Sequence, residues 1–126
     1  MERVLNIDGR EVGFRTSALT PYIYRNLFGR DLITDLNKLE KAYKKAIRLP
    51  EDASEEERLD AQLSEMDLQI FARVAYVMAK QHDKSLTYSI EEWLDGFETF
   101  SIYAIAGELL EMWKLDQQTT SIPVKK

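Results

Sequence analysis

Residues 66–79 read MDLQIFARVAYVMA, and eleven of these fourteen residues are apolar. At 3.6 residues per turn, they cover nearly the whole circumference of a helix, which we predict over residues 64–82. A helix that is apolar all round lies either at the centre of a core or beneath a partner that covers its outer side. The rest of the chain must therefore either enclose this helix or leave one of its sides to a partner.

A second apolar segment, FSIYAIAGELLEMW over residues 100–113, predicts a final helix at about residues 99–115. The chain has 126 residues, enough for one core and one central helix of this kind. Two alternatives remain open. Either the N-terminal elements cover both helices, or apolar surface is left for self-association or for a client protein.

Met and aromatic side chains suit a surface of the second kind, because they repack easily and carry a large contact area. The candidate residues for such a client or self-association surface are Met66, Phe71, Tyr76, Met78, Phe100, Tyr103, Met112 and Trp113.

Residues 3–16 have the pattern of a β-hairpin. Asp8-Gly9 favours a two-residue turn, because both residues tolerate the positive φ that this turn requires. The turn sets a register that pairs Ile7 with Arg10, Leu5 with Val12, and Arg3 with Phe14. Leu5, Ile7, Val12 and Phe14 then share one face, which should pack on helices or on another subunit, since a lone hairpin is marginal in water.

Two helices are predicted after the hairpin. The first, at residues 21–28, begins at Thr20-Pro21, where the threonine can cap free N–H groups and the proline suits the first helical position. It ends at Gly29, a typical left-handed C-terminal cap. Asp31 begins the second helix, at residues 31–47. Its apolar stripe consists of Leu32, Leu36, Leu39, Tyr43 and Ala46.

The remaining segments complete the predicted fold. Residues 48–64 are rich in acids and predict a long loop, whereas Ser89 followed by Glu92 is a capping box that begins a short helix at residues 90–97. Residues 117–126 are polar and predict a flexible tail after a single domain over residues 1–116. The sequence thus predicts an α+β fold that is mostly α-helical, with an N-terminal β-hairpin and about five helices in a compact bundle.

Composition narrows the class of function. The net charge of -5 gives no general attraction to a phosphate backbone, so we expect no nucleic-acid partner. The chain has no cysteine, which suits a reducing cytoplasm. The first residues, MERVLNIDG, lack a signal-peptide pattern, and no apolar run reaches the ~20 residues that span a bilayer. We therefore expect a soluble cytoplasmic protein with no membrane partner.

Residue types that support catalysis are sparse. His82, beside Asp83 at a helix end, is interpreted as a solvated cation rather than as a ligand or base. Gly107 lies inside the last helix, where it either permits close helix–helix approach or is merely tolerated. The acidic runs at residues 55–57 and 91–92 are interpreted as solvated charge. We expect no enzymatic activity, no metal and no cofactor.

The stretch VLNIDGREVGFRTSALTPYIYRNLFGRDLITDL resembles the N-terminal region of tail assembly chaperones from long-tailed bacteriophages and prophages of Gram-positive bacteria. That region has a short hairpin, a Thr-Pro helix start, an aromatic-Arg stretch and a Phe-Gly-Arg-Asp turn. The corresponding residues here are Thr20-Pro21, Tyr22 with Tyr24-Arg25, and Phe28-Gly29-Arg30-Asp31. The ending WKLDQQTTSIPVKK is similar to the polar tail of the family. The resemblance covers most of the chain and is weakest over residues 48–64.

The resemblance implies a viral assembly factor that binds the tape measure protein, keeps it soluble and recruits tail tube subunits. It also implies that this chain is the short form of a pair whose longer form arises by ribosomal frameshifting. Lysine codon pairs are frequent slippery sites, so Lys125 and Lys126 are the candidate frameshift junction, unless they are a terminus that ends in lysines by chance. The implied partners are the tape measure protein, the longer form, the major tail tube protein and further copies of the chain. The implied location is the host bacterial cytoplasm, with none of the protein in the mature virion.

Two other classes of protein are considered. The first is a phage tail or head-tail connector protein that is retained in the virion. The second is a small DNA-binding repressor, for which residues 31–47 are the only candidate recognition helix. The lysines of that helix are balanced by Asp31, Asp35 and Glu40, which disfavours the repressor.

Overall fold

The computed structural model describes residues 1–99 and 101–120, with side chains up to Leu115. Within these residues, two antiparallel strands form a hairpin and six helices follow it. In chain order the elements are β1 Glu2–Ile7, β2 Arg10–Arg15, α1 Thr20–Phe28, α2 Leu32–Ile47, α3 Glu55–Ala61, α4 Glu65–His82, α5 Ile90–Asp95 and α6 Ile102–Thr120. The predicted α+β class with mostly helical content is confirmed.

α4 lies at the centre of the fold. β2, α1, α2, α5 and α6 all pack against it. From Ile70 to Gln81 its residues are buried, apart from three half-buried ones, and the exposed apolar residues of the helix, Met66 and Leu68, lie at its N-terminal end. The surrounding elements therefore enclose the helix, and the expectation of spare apolar surface on α4 is wrong beyond its first turn.

The hairpin has the predicted register. Arg3 pairs with Phe14, Leu5 with Val12, and Ile7 with Arg10. Asp8 and Gly9 have φ values of 56° and 77°, as the two-residue turn requires. Ile7 and Phe14 are buried, and β2 carries this face onto α4.

The C-terminal end of α4 also packs against the hairpin. The imidazole of His82 lies across Gly13 so closely that a Cβ at this position would come within 2.2 Å of the ring Cε1 atom. His82 is exposed, as expected, but its ring packs on the strand. A side chain at Gly13 would therefore displace the ring.

α3 corrects the prediction of a long loop over residues 48–64. Ser54 Oγ accepts a hydrogen bond from the Glu57 N–H at 3.1 Å, and Glu57 Oε1 accepts one from the Ser54 N–H at 3.0 Å. This is the same capping box that correctly predicted the start of α5 at Ser89. The acidic composition concealed the capping pattern.

Thr20 does not cap α1 as predicted, since Leu19 occupies the N-cap position without a side-chain hydrogen bond. The Thr20 hydroxyl instead donates to Gln81 Oε1 at 2.6 Å and accepts from the Ser17 N–H at 2.9 Å. Gln81 Nε2 donates in turn to Ser17 Oγ at 2.6 Å. This buried cluster joins the start of α1 to the end of α4, so the threonine makes a tertiary contact that sequence spacing does not reveal.

Other boundaries also differ from the prediction. α6 extends to Thr120, so residues 117–120 are helical where a tail was predicted. The predicted Gly29 cap of α1 is confirmed by a left-handed φ of 66°. α2 begins one residue later than predicted, at Leu32, and Asp31 is its N-cap residue, which accepts from the Thr34 N–H.

A buried carboxylate joins α1, α2 and α4. Asp35 is 1% exposed. It accepts two hydrogen bonds from Arg30, at 2.7 and 2.8 Å, and one from the Tyr24 hydroxyl at 2.6 Å. Arg73 of α4 approaches the same carboxylate to 3.9 Å and donates to Tyr24 Oη at 3.3 Å.

The contacts within this cluster shift the pKa values of Asp35 and Tyr24. The hydrogen bonds from Arg30, followed by that from Tyr24, hold the pKa of Asp35 below its usual range, although burial opposes them. Burial and the bond to Asp35 raise the pKa of Tyr24 to about 12. The ionised carboxylate is therefore the form that the fold stabilises.

Asp35→Asn retains the side-chain volume but removes this charge, so we expect the free energy of unfolding at neutral pH to fall by about 2–3 kcal/mol. Because the folded-state pKa of Asp35 is depressed, its stabilisation is present above the unfolded pKa of about 4 and is lost as the pH falls through the folded value. Urea unfolding from about pH 7 to about pH 2 measures both effects.

Asp60→Asn is the matched control, since Asp60 is an exposed carboxylate on α3. This change should alter the free energy of unfolding by less than about 0.5 kcal/mol. If the free energy of unfolding of Asp35→Asn stayed below that of the unmodified chain by the same amount down to the lowest pH, the ionised carboxylate would not be what stabilises the fold.

Candidate functional site

The eight residues predicted as a client or self-association surface do not form one surface. Four of them lie in the core, and the expectation that they are accessible is wrong: Phe71, Tyr76, Met78 and Met112. Three are at least partly accessible: Met66, Tyr103 and Trp113. Phe100 lies outside the described residues, as do the candidate junction residues Lys125 and Lys126.

α6 has three distinct sides rather than an apolar circumference. The side that faces the core contains Ile105, Ala106, Leu109 and Met112. A second side is polar and faces β1, where Arg3 Nη1 lies 2.8 Å from Glu111 Oε1 and 2.5 Å from Glu108 Oε2. The hydrogen bonds to Glu111 and Glu108 raise the pKa of Arg3. This ion pair orients the third side of α6 toward α2.

α2 and α6 run antiparallel along that third side. Tyr103, near the start of α6, lies beside Ala46 and Ile47 at the end of α2. Trp113, ten residues further along the described helix, lies beside Ile33 and Leu36 at the start of α2. We call this line of contact the α2–α6 seam.

Gly107 lies at the middle of the seam. A Cβ at Gly107 would come within 2.4 Å of Tyr43 Oη and 3.1 Å of its Cζ atom. Of the two alternatives for this glycine, the structure therefore favours close approach, because the Tyr43 side chain of α2 occupies the space. The contact divides the seam into two open grooves.

The first groove, which we call the Trp113 groove, has a volume of about 240 Å³. Its apolar walls are formed by Ile33, Leu36, Leu110 and Trp113. An ion pair between Lys114 and Glu40 joins the two helices at its rim.

The second groove, which we call the Tyr103 groove, has a volume of about 370 Å³ and lies where α2, α3 and α6 meet. Its lining residues are Ala46, Ile47, Leu49, Arg58, Ala61, Gln62 and Tyr103. Ile47 is 56% exposed and Tyr103 is 44% exposed, so apolar surface is open to solvent here. Tyr103 and Trp113 are about 15 Å apart along the axis of α6, which is the distance that the two grooves span.

A third cavity, of about 540 Å³, lies between the hairpin and α5. Its charged and aromatic groups hold these elements together. Arg10 donates to the Gly96 carbonyl at 2.6 Å, and its guanidinium carbon lies 4.4 Å from the centroid of the Phe97 ring. Asp8 accepts from the Glu98 N–H at 3.0 Å. This cavity is a junction between the hairpin tip and the segment that leads into α6.

Sequence analysis missed, among other lining residues, three accessible or partly accessible apolar ones that α2 and the segment after it contribute to the grooves: Ile33, Ile47 and Leu49. A signal was present, because Ile33 and Ile47 are apolar residues outside the inward stripe of α2. They are fourteen residues apart, close to four helical turns, so they lie on nearly the same side of the helix. Two apolar residues off the buried stripe indicate a second contact surface.

Within the described residues, no three His, Asp or Glu side chains converge as metal ligands would. None of the described helices is long and apolar enough to cross a bilayer. Comparison of the chain with protein-family models, curated protein sequences and solved structures gave no match.

The contact between Gly107 and Tyr43 is tested by a double-mutant cycle. Gly107→Ala gains about 1 kcal/mol of helix propensity but forces its Cβ against Tyr43, so we expect the two effects largely to cancel. In a Tyr43→Ala background the steric conflict is absent, and the same substitution should stabilise by about 1 kcal/mol.

Denaturant unfolding of the four proteins gives the coupling energy. Tyr88→Ala replaces Tyr43→Ala in the control cycle, because Tyr88 is an exposed tyrosine away from the seam. The control cycle should be additive. If the coupling energy were the same in both cycles, the conclusion would be that Gly107 and Tyr43 are not in contact in solution.

Proposed function

We propose that this chain is a non-enzymatic tail assembly chaperone of a long-tailed phage, which binds the tape measure protein, keeps it soluble and recruits tail tube subunits. Two observations support the proposal. The N-terminal stretch resembles that family, and the α2–α6 seam exposes apolar grooves. The seam is the observation that carries the binding role, because exposed contiguous apolar surface typically marks an interaction site.

The shape of the seam suits a helical client. Two grooves about 15 Å apart match apolar side chains separated by about ten or eleven residues on a client helix, since three turns return to the same side. Lys114, Glu40 and Arg58 place charge at the edges of the grooves. An apolar centre with a polar rim is the usual arrangement of a protein-binding surface.

The proposal places the chain in the host bacterial cytoplasm and outside the mature virion. It also makes the chain the short form of a frameshift pair, with the junction at Lys125 and Lys126. The neighbouring nucleotide sequence tests this part. A slippery run under codons 125–126, an overlapping downstream frame and then a very long helical coding region would support the pair, whereas a non-slippery sequence without an overlapping frame would exclude it.

The binding role is tested by coexpression with the tape measure protein of the same genome. Ile47→Ser combined with Tyr103→Ser removes exposed apolar side chains from the Tyr103 groove, so the soluble fraction of the client should fall several-fold. Leu19→Ser combined with Tyr22→Ser is the matched control, because both residues are exposed and apolar but lie at α1. Urea unfolding should show that both double variants remain folded.

Equal client solubility with the two double variants would contradict binding through the seam. Mass spectrometry of purified virions tests the chaperone class separately. Stoichiometric amounts of the chain in the particle would favour the alternative of a structural tail or head-tail connector protein.

A further inference from the structure

A row of cations runs along the outer side of α2. Lys38, Lys41, Lys45 and Arg48 follow one another at intervals of three, four and three residues, so they lie on one side of the helix over about 15 Å. All four are exposed. Among the described residues none of the four forms an ion pair, whereas Lys44 and Lys114 both pair with Glu40. We call these four residues the basic row.

Carboxylates gather on a different part of the molecule. Glu91 and Asp95 are one turn apart on α5, Glu98 follows the helix, and all three are exposed. In the described part of the chain, no cation pairs with any of these three carboxylates. Arg10, which borders this region, is engaged by the Gly96 carbonyl and the Phe97 ring. We call these three residues the acidic ridge.

The two patches do not neutralise each other within one molecule. α2 and α5 both pack against α4 but not closely against each other, and the described residues show no ion pair between them. Each molecule therefore presents an uncompensated basic surface and an uncompensated acidic surface on separate elements. Surfaces of this kind are complementary between copies and steer association.

We propose that the basic row of one copy binds the acidic ridge of the next copy. The contact joins two different surfaces, so it is heterologous and builds a ring or an open chain rather than a closed twofold dimer. The inference rests on the proposed function, because the family that the chain resembles also implies further copies of the chain as partners, but it does not rest on the identity of the client. The basic row lies beside the α2–α6 seam rather than in it, so linked copies keep their grooves open.

A polyanion is the competing occupant of the basic row. The observations favour a second copy, because the chain has a net charge of -5 and the row is confined to one helix. Glu51 and Asp52 follow Arg48 by three and four residues, and they would also repel a phosphate backbone at that end of the row.

Charge reversal tests the contact in the full chain without any client. One variant carries Lys41→Glu and Lys45→Glu, and the other carries Glu91→Lys and Asp95→Lys. Sedimentation velocity at low ionic strength, where screening is weak, should show that the unmodified chain associates and that each variant associates at least about tenfold more weakly. An equimolar mixture of the two variants should associate again, because each reversed surface then meets its complement. High salt should dissociate both the unmodified chain and the mixture.

Matched controls carry the same change in net charge at other sites. Arg25→Glu with Lys84→Glu reverses two exposed cations off the basic row, and Glu55→Lys with Glu56→Lys reverses two exposed acids of α3. Both controls should associate like the unmodified chain. If the α3 control weakened self-association as much as the Glu91→Lys/Asp95→Lys variant does, the assignment of the acidic ridge would be overturned.

Three further results would overturn the inference. They are a monomer at low salt, self-association that survives both reversals, and a mixture that fails to reassociate although circular dichroism shows both variants folded. Tight, salt-dependent binding of a labelled DNA duplex that is lost in the Lys41→Glu/Lys45→Glu variant would assign the row to a polyanion instead. These results leave the client-solubility test unaffected, so failure of this inference is distinguishable from failure of the proposed function.

Discussion

The fold depends on the enclosure of α4. A helix that is apolar all round loses hydrophobic stabilisation on any side that stays in contact with water, so each of its sides needs a neighbour. The hairpin, α1, α2, α5 and α6 supply those neighbours. The polar side chains of α4 lie where partners exist: Arg73 reaches the cluster of Asp35 and Tyr24, and Gln81 reaches Thr20. Buried polar groups of α4 are thereby satisfied while the apolar surface is covered.

The enclosure of α4 also determines where apolar surface remains accessible. α6 uses one side to cover the core and a second to pair with Arg3, which leaves its third side against the edge of α2. Tyr43 packs over Gly107 and keeps the two helices from closing evenly, so a groove opens at each end of the contact. The candidate binding surface is therefore a consequence of core packing. Its position beside the basic row would let linked copies present their grooves to one long client.

Features that depend on neighbouring residues in the chain could be predicted from the sequence. The hairpin register, the left-handed Gly29 and the Ser89 capping box are of this kind, because turn and cap geometry requires particular residue types. Ser54 and Glu57 form the same capping box at the start of α3, but the acidic composition around them favours a loop, so the sequence did not predict this helix. The hydrogen bond from Thr20 to Gln81 joins residues that are far apart in the chain, so no local pattern reveals it. Likewise, Tyr103 and Trp113 were identified as surface candidates, but the burial of Phe71 and Met112 depends on neighbours that only the tertiary structure supplies.

Amide hydrogen exchange of the chain, measured at high salt and without a client, tests the enclosure of α4 most directly. If the surrounding elements of one chain enclose α4, the amides of residues 70–79 exchange only through global unfolding, with protection equal to the free energy of unfolding. The short, exposed α3 should exchange through local opening at a lower free energy. Exchange at residues 70–79 as fast as in α3, in a chain that sedimentation shows to be monomeric, would mean that α4 needs a partner to be covered and would contradict the account.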